Sequence, residues 1–66
     1  MVESIKKALL EIQTQYIQNA TNPKFNWVGL HSKIELLYGI AKETLNSGHE
    51  LLTEIALAKA VITGKR

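Results

Sequence analysis

The chain has 66 residues, 45% hydrophobic and 21% charged, with a net charge of +2 and no cysteine. That length leaves room for one small domain, the apolar content excludes a disordered chain, and the missing thiols exclude disulfides and cysteine-ligated zinc as staples. A chain of this size buries only about 60% of the surface its unfolded form exposes, so stability has to come from regular packing, from oligomerisation, or from both.

The first element is predicted as a helix over residues 2–20. Val2, Ile5, Leu9, Ile12 and Tyr16 recur at alternating steps of three and four, which places them on one stripe of a helix. Leu10 and Ile17 widen that stripe on one flank and Ala8 on the other, while Glu3, Lys7, Glu11, Thr14 and Gln18 take the opposite face. The longest unbroken apolar run here is Ala8-Leu9-Leu10, too short for the core of a signal peptide.

The stretch TNPKFN is the first interruption. Two helix starts fit it: Asn22 as the cap with Pro23 in the first turn, or Asn26 as the cap with Trp27 first and Phe25 packing back on Leu30. The second is preferred because the apolar stripe begins at Trp27, and a short extended piece over residues 24–28 is the competing assignment. The second helix is then expected over residues 26–46, with Trp27, Leu30, Ile34, Leu37, Ala41 and Leu45 on its inner stripe and Leu36 and Ile40 on a flank. Gly29 and Gly39 sit inside it, where each costs about 1 kcal/mol against alanine unless another backbone comes close.

The stretch LNSGHELL is the second interruption. Gly48 stands where a helix-ending glycine would stand, and Ser47 with Glu50 has the spacing of a capping box. A third helix is expected over residues 48–63, ended by Gly64. Short links of this kind favour antiparallel helix neighbours. The last helix is apolar nearly all round: Leu51, Leu52, Ile55, Ala58 and Ile62 make one face, and Ala56, Leu57, Ala60 and Val61 cover most of the remainder. Two neighbouring helices leave little to cover the remainder, so another protein surface, most directly a second copy of the chain, is expected against it; the alternative is a monomer in which alanines and a single leucine and valine are tolerated in water.

Chemistry is sparse. Ser4, Ser32 and Ser47 lie in no nucleophile motif, the carboxylates are scattered, and so small a core cannot wall off a pocket. The chain is therefore expected not to be an enzyme and to need no cofactor. His31 and Glu35 share a helix face, but metal sites are denser in ligands, so no metal is expected, and His31 reads as a surface residue. No segment approaches the roughly 18 apolar residues that span a bilayer. With no cysteine, the compartment expected is the cytoplasm.

The fold class expected is all-α: a three-helix domain with two long antiparallel helices and a third, apolar one, in an oligomer. The function expected is a regulatory or scaffolding accessory role, by self-association or by binding a larger protein. Leu57, Val61, Ala60 and Trp27 are the candidate contact residues, since aromatic and apolar anchors dominate interfaces. The alternative is a dimeric nucleic-acid-binding regulator whose Lys59, Lys65 and Arg66 contact phosphate, but the lysines are dispersed and the last helix presents apolar side chains where base-reading groups would be needed.

Overall fold

The structure is a computed structural model, and it describes residues 2–64. Among these the chain forms helix α1 (Val2–Gln18), helix α2 (Trp27–Thr44) and helix α3 (Glu50–Thr63), with no strand. They pack into a body about 36 × 19 × 16 Å. No helix of the described residues is long and apolar enough to cross a membrane.

The core is built from the stripes that the three-four spacing marks. Ile5, Leu9 and Ile12 come from α1; Leu30, Ile34, Leu37 and Ala41 from α2; and Leu51, Ile55, Ala58 and Ile62 from α3. The ends of the stripes, Val2, Tyr16, Trp27 and Leu45, are half-buried and pack against this cluster. No described polar side chain is fully buried, so the fold is held by apolar contact and helix hydrogen bonds.

The helix ends differ from expectation in informative ways. α1 stops at Gln18, short of residue 20, where the Asn19 side-chain amide donates to the Gln15 carbonyl at 2.9 Å and competes with continued helix. In the loop, Lys24 N–H donates to Asn22 Oδ1 at 3.1 Å and Trp27 Nε1–H to the Asn22 carbonyl at 3.0 Å. The segment is a series of turns, so the extended alternative over residues 24–28 is not what forms. Asn26 does cap α2, its Oδ1 accepting from Gly29 N–H at 2.9 Å.

The second link corrects the sequence reading more sharply. α2 ends at Thr44, with Leu45 already extended. Gly48 does not act as a left-handed helix stop, because no described glycine has positive φ. The cap of α3 is His49, not Ser47: His49 Nδ1 accepts from Leu51 N–H at 3.0 Å. Glu50 is therefore the first residue of α3 rather than the third, too early to close the capping box that its spacing from Ser47 suggests.

Candidate functional site

α1 carries two apolar seams. Ile5, Leu9 and Ile12 turn into the core, and Leu10 and Ile17 lie to one side of them, 62% and 72% exposed. α3 repeats the arrangement, with Ile55, Ala58 and Ile62 inward and Leu57 and Val61 to the side, 64% and 56% exposed. These two outer pairs meet across the junction of α1 and α3, where they line one open groove of about 580 Å³. Tyr16, Ala58 and Ile62 also line it, and Gln13, Thr14 and Glu54 are its polar members.

The magnitude makes this groove the feature to explain. Fully burying one such aliphatic side chain stabilises by about 1.5–3 kcal/mol. Four of them at this exposure forgo roughly 4–8 kcal/mol of burial. The whole stability expected of a chain this short is on the order of 3–10 kcal/mol. Isolated surface leucines need no explanation, but four apolar side chains lining one concavity make it a candidate site.

The residues picked from sequence divide accordingly. Leu57 and Val61 are in the groove, whereas Ala60 is exposed but stands outside its wall. Trp27 is half-buried and serves the fold. Its ring meets Phe25 edge-on at 4.8 Å and Tyr16 at 5.9 Å, which ties α2 and the loop to α1. Lys59 is half-buried, and its carbonyl accepts from Thr63 Oγ1 at 2.7 Å. Lys65 and Arg66 lie outside the described residues.

Leu10 and Ile17, which line the groove, were not among the candidate contact residues read from the sequence. The signal was there: they are seven residues apart on the flank of the α1 stripe, but only the tertiary arrangement sets that flank beside Leu57 and Val61. Sequence reading also misplaced His31, which is half-buried, with its Nε2 fully covered and without a hydrogen-bond partner among the described residues. No group of three or more His, Cys, Asp or Glu side chains among the described residues is arranged to hold a metal.

No family model, no curated protein and no solved structure matches this chain.

Proposed function

We propose that this chain is a non-enzymatic protein-interaction module, regulatory or scaffolding in role, that works by burying the groove between α1 and α3 against another protein surface. The surface would be a second copy of the chain or a larger protein. The observation that carries this reading is the convergence of Leu10, Ile17, Leu57 and Val61 on one concavity while all remain more than half exposed. An amphipathic helix laid into such a groove is a common recognition mode, with apolar anchors at spacings of three and four.

Two finer points belong to the same reading. The connection over residues 19–26, folded back on itself by the Tyr16–Trp27 contact, supports an antiparallel pairing of the long helices. A cysteine-free composition suits the cytoplasm.

The test is capture by the immobilised full chain, wild type against Leu57→Glu. A specific protein, its own copy or another, should be retained by the wild type at moderate salt and lost with the variant. Leu57 is exposed, so the charge should leave the fold intact, which circular dichroism verifies. Equal retention by both chains would remove the groove from the account.

A further inference from the structure

α2 and α3 carry the same pattern at a constant offset. Leu30, Ile34 and Leu36 of α2 fall on Leu51, Ile55 and Leu57 of α3, Ser32 falls on Thr53, and Ile40 falls on Val61. Burial follows the same correspondence: Leu30, Ile34, Leu37 and Ala41 are buried, and so are Leu51, Ile55, Ala58 and Ile62. Exposure follows it too. Leu36 and Ile40 are 68% and 45% exposed, in the places that Leu57 and Val61 hold on α3. The exposed position that completes each flank inverts its charge, Lys33 on α2 and Glu54 on α3.

Each flank therefore reads charge, leucine, β-branched residue, at steps of three and then four. Those are the a, d and a positions of a heptad. Leucine at d with isoleucine or valine at a is the combination that favours two parallel helices. Like flanks would meet badly. α3 on α3 sets Glu54 against Glu54, and α2 on α2 sets Lys33 against Lys33, whereas α2 on α3 sets Lys33 against Glu54.

We infer that the groove of one copy receives the α2 flank of a second copy, parallel to α3 and in register, with Leu36 on Leu57, Ile40 on Val61 and Lys33 facing Glu54. This rests on the groove being a protein-binding site, as proposed above, and names its occupant. Within a single chain the contact is not made, since all four apolar side chains remain exposed. The two surfaces that meet are different, so the assembly either closes, as a two-fold pair in which each flank fills the other chain's groove or as a larger ring, or grows head-to-tail with one free flank and one free groove.

The experiment uses the full chain with Leu36→Glu and Leu57→Glu, each alone and then mixed in equal amounts, by light scattering on a sizing column. Circular dichroism checks the fold. The wild type should rise in mass with concentration. Each variant alone should stay at the mass of one chain. The mixture should reach two chains and stop, because it contains only one intact flank and one intact groove per pair. Charge reversal gives a milder second probe. Lys33→Glu and Glu54→Lys should each weaken association by roughly tenfold or more, and the two together in one chain should restore it.

Three results would overturn the inference. If Leu36→Glu still associates as the wild type does while Leu57→Glu does not, grooves face one another and the α2 flank is idle, though the groove stands. If Leu57→Glu still associates, the groove is not where copies meet. If the wild type stays at one-chain mass at every concentration, the chain does not dock on itself, and the capture experiment alone decides whether the groove binds another protein.

Discussion

His31 Nε2 is buried and has no hydrogen-bond partner among the described residues, a condition that costs about 1–3 kcal/mol. At the matching place in α3 stands Leu52, also half-buried, which loses nothing by it. His31→Leu is accordingly expected to stabilise the fold by about 1 kcal/mol. In urea denaturation the midpoint should rise with an unchanged slope, and a lower midpoint would show that the imidazole is supporting the fold. The glycine two residues earlier has the opposite standing. A Cβ on Gly29 would lie 2.6 Å from Asn26 Nδ2, so alanine there would push the capping side chain that starts α2.

At the scale of elements, the three-four spacing was enough to find all three helices and every buried residue on them, because helix burial follows a stripe that the sequence writes out. The ends were harder. Ser47 and Gly48 have the right chemistry for a cap and a stop, yet the chain uses Leu45 and His49, because where a helix restarts depends on how the next stripe reaches the core. The lining of the candidate groove was legible by halves. An over-apolar last helix pointed to Leu57 and Val61, while Leu10 and Ile17 looked like the margin of a core stripe, since no property of α1 alone says what lies beside it. The pattern that α2 shares with α3 was likewise not legible as a repeat in the letters, and it shows only when exposure is set beside them. Gly39 supplies a test at this scale. A Cβ there meets nothing within 4 Å, so Gly39→Ala should add about 0.8–1 kcal/mol of helix propensity. For a domain this small that is a rise of roughly 4–8 °C in thermal midpoint. A fall in the midpoint would mean that something packs closely on that turn.

For the molecule as a whole, the fold is one apolar cluster with no fully buried polar side chain among the described residues, and its outer seams hold nearly as much unspent hydrophobic surface as so short a chain has stability to draw on. On the proposed reading association covers these seams, and the opposed charges of Lys33 and Glu54 would select which of them meet. The most direct measurement is the solution mass of the wild-type chain over a wide concentration range, with Leu57→Glu measured alongside. The account predicts a mass that climbs above one chain as the wild type is concentrated, and a variant that remains at one chain throughout. Two superimposable profiles, both at one chain or both rising, would contradict it.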